Sequence, residues 1–429
     1  MSYANIPATP HQEGTFSKLT TMSNKKRHFI FSLLFLGWIV DSLTLFGMNI
    51  AIIPISQEFH LSKTQGGMVI SSFWLSSACM TVLAGWLSDK FGSRKVIVIA
   101  LFIISLFSLM TGMVGSFAAI LAARFVLGLG DGGLPTGSGV AITEIYKKGA
   151  RARAKSILLA AQLLGGVLAL YLTAVIADAF GWRVMFYSIG GIGLLVTLLL
   201  SIFYHPPKVE KTTRDGKIIE RISMKELYKH KMLWVVVIMY LGSSIAQWGF
   251  SSWMPTYLES SRDLNLKEVG SLAMIPQAFG LASAILTGFL IDKSRGGKEK
   301  IFILSGTLIA SVCLLLMYSA PSLAMVIVYQ SIFTFGSSML SMTILTIPLK
   351  HVAGNIVGTF MGSMYFVGGL SGFIAPIVMG GLIDAFGGSF LAAFVFLIIA
   401  LVMTGICSLL FKVPQHNDGV FESALSETE

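Results

Sequence analysis

Charged residues are scarce in this chain: 12% of its 429 residues are Asp, Glu, Lys or Arg, about half the share with which a soluble domain keeps its surface wet. Set against 54% hydrophobic residues, that scarcity excludes a soluble globule and a disordered chain alike, and leaves lipid as the surroundings. Cysteine is nearly absent. Cys79, Cys313 and Cys407 lie far apart inside apolar runs, with no spacing for a disulfide framework or a metal, and are expected to be buried thiols. The seven histidines fall in loops, tails or helix ends, so neither a metal nor a cofactor is expected. No Gly-x-x-x-x-Gly-Lys-Ser/Thr occurs, which excludes ATP drive within this chain. There is no catalytic constellation and no sizeable soluble domain, so neither an enzyme nor a receptor is expected.

What is present is a long series of apolar runs. A spanning helix needs roughly 20 mostly apolar residues, and twelve segments qualify: about 29–54, 66–88, 96–115, 117–145, 155–179, 184–204, 232–258, 269–291, 301–319, 322–348, 355–384 and 389–411. The predicted fold is therefore an all-α membrane protein. Residues 1–28 form an N-terminal tail, 29–204 a first six-helix half, 205–231 a central loop, 232–411 a second half and 412–429 a C-terminal tail. The polar start of the chain ends in Lys25-Lys26-Arg27, and the apolar run that follows is too long for a signal-peptide core.

The net charge of +10 is spread over short loops, a pattern that sets topology and not one that grips nucleic acid. With the N-terminus inside, 26 of the 31 Lys and Arg residues fall on the cytoplasmic side, four fall outside (Lys63, Arg183, Arg262 and Lys267), and Arg124 lies within a span. Both termini are thus expected in the cytoplasm, in a cell membrane, specifically a bacterial inner membrane. The halves repeat residue by residue. Gly85-Trp-Leu87-Ser-Asp89-Lys90 returns as Gly288-Phe-Leu290-Ile-Asp292-Lys293, and Asp178-Ala-Phe-Gly181 returns as Asp384-Ala-Phe-Gly387. Duplicated helix bundles around a midplane site are the architecture of secondary transporters.

Only Asp41, Arg124 and Asp131 are charges well inside spans, and a charge at that depth costs a few kcal/mol, about 2.5–3.5 on insertion scales. A buried cation near two buried acids suits a carboxylate ligand and an exchangeable proton. The alternative is a fixed ion pair between the first and fourth helices. Gln162, Gln247, Trp248, Gln277, Tyr329, Gln330 and Tyr365 are further midplane candidates. Trp38, Trp74 and Trp234 are read as packing or interfacial anchors. Gly128, Gly130 and Gly133 match a dinucleotide-binding spacing but follow no strand, so they are read as close helix packing, and helix 4 is expected to bend near Pro135.

The stretch from Gly85 through Asp89 and Gly92 to Arg94 and Lys95, with its weaker copy around Asp292, resembles the loop 2–3 signature of the major facilitator superfamily. Arg124-Phe-Val-Leu-Gly128-Leu-Gly130-Asp131 with Pro135, Gln162, Asp41 and Trp253-Met-Pro255-Thr-Tyr257 resemble the anion:cation symporters, of galactonate and hexuronate type. Two positions depart from that pattern: Ser42 stands where an Arg is usual, and Gly369 where an Asn is usual. The resemblance implies proton-coupled symport of a small organic anion by alternating access, with Asp131 and Asp41 coupling the proton. On that reading Arg124 and Gln162 would hold substrate, joined by Gln247, Trp248, Tyr365 and Gln330 from their midplane positions, and Gly85, Asp89, Gly92, Arg94 and Asp292 would govern conformation. The working unit is expected to be a monomer. A drug or metabolite exporter of the same fold is the alternative.

Overall fold

The computed structural model describes residues 23–146, 148–206, 228, 231–293, 298–352 and 357–411. Among them are twelve helices, each long and apolar enough to cross a membrane. The first six are α1 (Asn24–Glu58), α2 (Lys63–Phe91), α3 (Ser93–Met113), α4 (Phe117–Ile145), α5 (Lys148–Phe180) and α6 (Trp182–Phe203). The second six are α7 (Lys231–Arg262), α8 (Leu266–Lys293), α9 (Glu299–Tyr318), α10 (Leu323–His351), α11 (Val357–Ala385) and α12 (Leu391–Leu410). Most of the tails and of the central loop lies outside the described residues.

The helices differ from the sequence reading by a few residues at their ends. The largest differences are extensions at helix starts, whereas the last helix is shorter, Leu391–Leu410 against 389–411. α1 begins at Asn24, inside the expected tail, and α5 begins at Lys148. Lys and Arg are good helix formers, and their stems reach along the helix while their charges stay at the surface. Polarity therefore marked the edge of the apolar span but not the end of the helix. α4 runs unbroken through Pro135. Cys79, expected to be buried, is exposed on α2; in a bundle bathed in lipid an apolar thiol has no reason to avoid the perimeter.

The ends of the helices are set locally. Ser62 and Gln65 form a reciprocal capping box at the start of α2, and Ser116 and Ser322 cap α4 and α10, each satisfying an orphan N–H. Gly92, Gly181 and Gly387 take φ of +83°, +87° and +65°, backbone that glycine reaches without strain. The last two close the repeated Asp-Ala-Phe-Gly segments.

The two halves meet chiefly through α2 with α11 and α5 with α8, and more lightly through α1 with α7. Ile50 of α1 and Leu170 and Ala174 of α5 belong to the apolar core of the second half. At the end of the bundle away from the termini the contact is backbone against backbone. A Cβ on Gly67 would collide with the Pro376 carbonyl, one on Gly380 with that of Lys63, and one on Gly270 with that of Leu170. Asp384 of α11 clasps the start of α2: it accepts from the amides of Lys63 and Thr64, at 2.9 and 2.8 Å, and from the Thr64 hydroxyl at 2.6 Å, where the helix dipole favours a negative charge. At the end bearing the termini, Gly85 of α2 and Gly358 and Gly362 of α11 face open space. The halves are closed at one end and parted at the other.

Candidate functional site

The glycines of α4 bring its charges into the interior. A Cβ at Gly128 would strike the Phe73 carbonyl of α2, one at Gly132 that of Ser77, and one at Gly130 that of Ala100 in α3. α4 therefore lies against α2 and α3 with almost no side chain between, as the packing reading of these glycines requires. The same approach seals Arg124, which is fully buried.

Its guanidinium lies 5.0 Å above the Phe73 ring, a cation–π contact, and Nη1 donates to the Thr44 carbonyl at 3.3 Å. Nε and Nη2 have no hydrogen-bond partner. Asp131, midway along α4, accepts from the Ser77 hydroxyl. Asp41 of α1 is buried, its carboxyl faces that of Asp131, and its Oδ1 has no hydrogen-bond partner. The ion pairs among the described residues are Arg183–Glu58 and Glu299 with Lys350 and His351; Arg124 belongs to none. The fixed ion pair considered from the sequence is thus not formed. A fork of N–H donors held dry without an acceptor is costly and is suited to a carboxylate or another planar anion.

The other candidates are not all brought together. Gln162 of α5 is half-buried, and its carbonyl accepts from Ser42 at 3.2 Å. Trp248 of α7 reaches across to the first half, its ring centroid 4.2 Å from that of Trp74 on α2 and 6.4 Å from that of Phe46 on α1. Gln247 beside it accepts from the Ser341 hydroxyl at 3.2 Å. Gln330 lies apart: it is fully buried, with its amide nitrogen 2.6 Å from the Met254 sulfur. Tyr365 is exposed on α11 and makes no described hydrogen bond to the charged trio. Trp74, read as a packing or interfacial anchor, meets Trp248 across the boundary between the halves, and Phe73, Ser77 and Thr44 were missed. A signal for Ser77 did exist, since Ser71, Ser72, Ser76 and Ser77 cluster within two turns of a largely apolar helix, as small polar residues do where membrane helices pack closely.

Ser42 is fully buried and sits under Gly165 of α5, where even a Cβ would collide with it. Its hydroxyl donates to the Trp38 and Gln162 carbonyls. An arginine has no room here. Ser42→Arg is expected to force α1 from α5 and to lower the yield of folded protein severalfold, whereas Ser42→Ala should lose no more than about 1–2 kcal/mol; size-exclusion chromatography of the two variants in detergent checks this. The departure from the symporter pattern at this position is therefore built into the packing of α1 on α5.

Residues 34–376 match the Major Facilitator Superfamily. The chain belongs to that family. It is accordingly a multi-pass membrane transporter and not an enzyme. The probable sulfoacetate transporter of Cupriavidus necator is 27% identical over 85% of this chain and 89% of its own length. The hexuronate transporter of Bacillus subtilis is 25% identical over 87% and 92%, and the cis,cis-muconate transport protein of Acinetobacter baylyi 27% over 91% and 95%. In structure the chain is similar to a bacterial homolog of the human lysosomal transporter Spinster in its inward-facing, unoccupied form. The TM-score is 0.80 at 19% identity, covering 91% of this chain and 98% of that one.

The major facilitator loop segment after α2 is partly accounted for. Gly92 supplies the positive-φ corner between α2 and α3, and Arg94 donates to the Ser201 carbonyl of α6. Gly85 makes no close helix contact: a side chain there would meet nothing within 4 Å, because the halves are parted at this end. The side chains of Asp89 and Asp292 lie outside the described residues. At the same level Glu144 accepts from Ser93 at 2.5 Å and from Tyr204 at 2.8 Å, tying α3, α4 and α6 together. Burial, and then the Glu144 carboxylate, push the Tyr204 phenol up, so it remains a donor at every physiological pH. In the second half Glu299 and Lys350, each 206 positions on from Ser93 and Glu144, meet at 3.8 Å.

Proposed function

We propose that this transporter carries a small organic anion together with a proton, working as a monomer by alternating access. The observation that carries the reading is Arg124: a fully buried guanidinium with two free donors, set beside a carboxyl pair that it does not neutralise. Two facing carboxyls in a dry site cannot both carry charge cheaply, and they take up and release a proton as a coupled pair. An anion on Arg124 and a proton on the Asp41–Asp131 pair each remove an electrostatic cost, so each favours the other. That is the coupling free energy a symporter needs. The relatives lend support, since sulfoacetate, hexuronate and muconate are all organic anions.

With both termini in the cytoplasm, the closed end is the outer one, and the structure is an inward-facing state of a bacterial inner-membrane protein. The test is uptake into proteoliposomes under an imposed inward proton gradient, with sulfoacetate, glucuronate and cis,cis-muconate as probes. At least one should accumulate above equilibrium and collapse to it with a protonophore. Accumulation indifferent to the proton gradient sinks the coupling. Expulsion of cations or neutral drugs, with no anion uptake, establishes the exporter reading instead.

A further inference from the structure

Resting on the anion reading, we infer that the substrate is an acid with a flat, hydroxyl-poor body, received against the Trp74–Trp248 pair, and that Trp248 sets this preference. The geometry is a continuous run of rings leading away from the cation. Arg124 stacks on Phe73 at 5.0 Å. Phe73 meets Trp74 edge-on at 5.5 Å. Trp74 meets Trp248 at 4.2 Å across the boundary between the halves, and Trp248 closes on Phe46 at 6.4 Å. Trp74 and Trp248 are only half-buried although they lie mid-membrane, so part of each ring remains open at the boundary where the halves part.

Several of the polar groups around this platform are spent. Trp38 donates its indole N–H to Ser138 at 3.1 Å, Asn49 donates to the Ser251 carbonyl at 3.2 Å, and the Gln247 oxygen is taken by Ser341. Ser42 donates to two backbone carbonyls. The Arg124 fork, the Gln162 amide, the Gln247 amide nitrogen and the Trp74 and Trp248 indole N–H groups are left with free hydrogen-bonding capacity, which serves one acidic group and a few further polar points. A polyhydroxylated chain would strip water from several hydroxyls and find fewer partners than it needs, and each hydroxyl buried without a hydrogen bond weakens its binding. A conjugated or aromatic body instead gains ring contact beyond its buried area.

The experiment is competition for a transported probe in wild-type proteoliposomes, followed in parallel by quenching of tryptophan fluorescence. Competitors are benzoate and cis,cis-muconate on one side and galactonate and glucuronate on the other. The flat acids are expected to compete at least tenfold better than the sugar acids. Trp248→Ala should erase that margin, and Trp248→Phe, which keeps a ring, should restore most of it. Equal or better competition by the sugar acids overturns the inference and leaves the anion reading intact. If none of the four acids competes or quenches, the inference is overturned as well, and the anion reading is then decided by whether sulfoacetate itself accumulates. A margin that survives in a folded Trp248→Ala protein overturns the role of Trp248, and because the wild-type comparison stands alone, a variant that does not fold leaves the substrate class decided.

Discussion

Asp131→Asn should abolish concentrative uptake while leaving exchange of labelled for unlabelled substrate. The carboxyl sits midway along α4, accepts from Ser77 and faces Asp41, in a site where every other charge is Asp41 or Arg124. Asparagine keeps the size and the acceptor oxygen for Ser77 but can neither bind nor release the proton. With one proton per anion, a gradient of about two pH units supports up to about hundredfold accumulation, since each tenfold corresponds to about 1.4 kcal/mol. The variant should hold the internal concentration at the external one. Asp41→Asn should be milder, because Asp131 retains its own hydroxyl donor while Asp41 has an oxygen with no partner. Proteoliposome uptake between pH 5 and 8, with counterflow measured alongside, checks both variants. Undiminished accumulation by Asp131→Asn would move the coupling to Asp41.

Arg124→Lys is expected to cost at least tenfold in uptake even though the charge is kept. The guanidinium does two things that an ammonium does not. It lies flat on Phe73, and it presents two free N–H donors in the plane in which a carboxylate or sulfonate offers two oxygens. A hydrogen bond to a charged group is worth about 1.5–3 kcal/mol, so losing one tooth of the fork predicts a fall of roughly ten- to a hundredfold in apparent affinity. The change should appear in the substrate concentration at half-maximal uptake, measured with initial rates at a fixed proton gradient. A lysine variant with unchanged affinity would remove Arg124 from anion recognition.

The trio Asp41, Arg124 and Asp131 was legible in the sequence because a bilayer makes every buried charge expensive, so a charge inside an apolar run draws attention without any structure. Their relation to one another was not. Sequence spacing places Arg124 and Asp131 on one face of α4, but it says nothing about whether Arg124 reaches either acid. A fixed ion pair and a free cation were both compatible with the same residues. Gln162, Gln247, Trp248, Gln330 and Tyr365 share the property of being polar or aromatic in a span. The structure separates Trp248, which crosses between the halves, from Gln330, which is sealed against Met254.

The sequence by itself determined the twelve spans, the six-and-six division and the repeat that relates the halves. Each rests on composition or periodicity along one segment, and a helix in lipid satisfies its own backbone without help from neighbours. Tertiary structure alone decided what depends on distances between helices far apart in the chain. Those are the clasp of Asp384 on the start of α2, the approach of α4 to α2 over its glycines, the unpaired fork of Arg124 and the closure of Trp248 on Trp74. Packing without a hydrophobic drive between helices is settled by surface shape and by where small residues fall opposite one another. That matching is a property of pairs of helices, and no single stretch of sequence contains it.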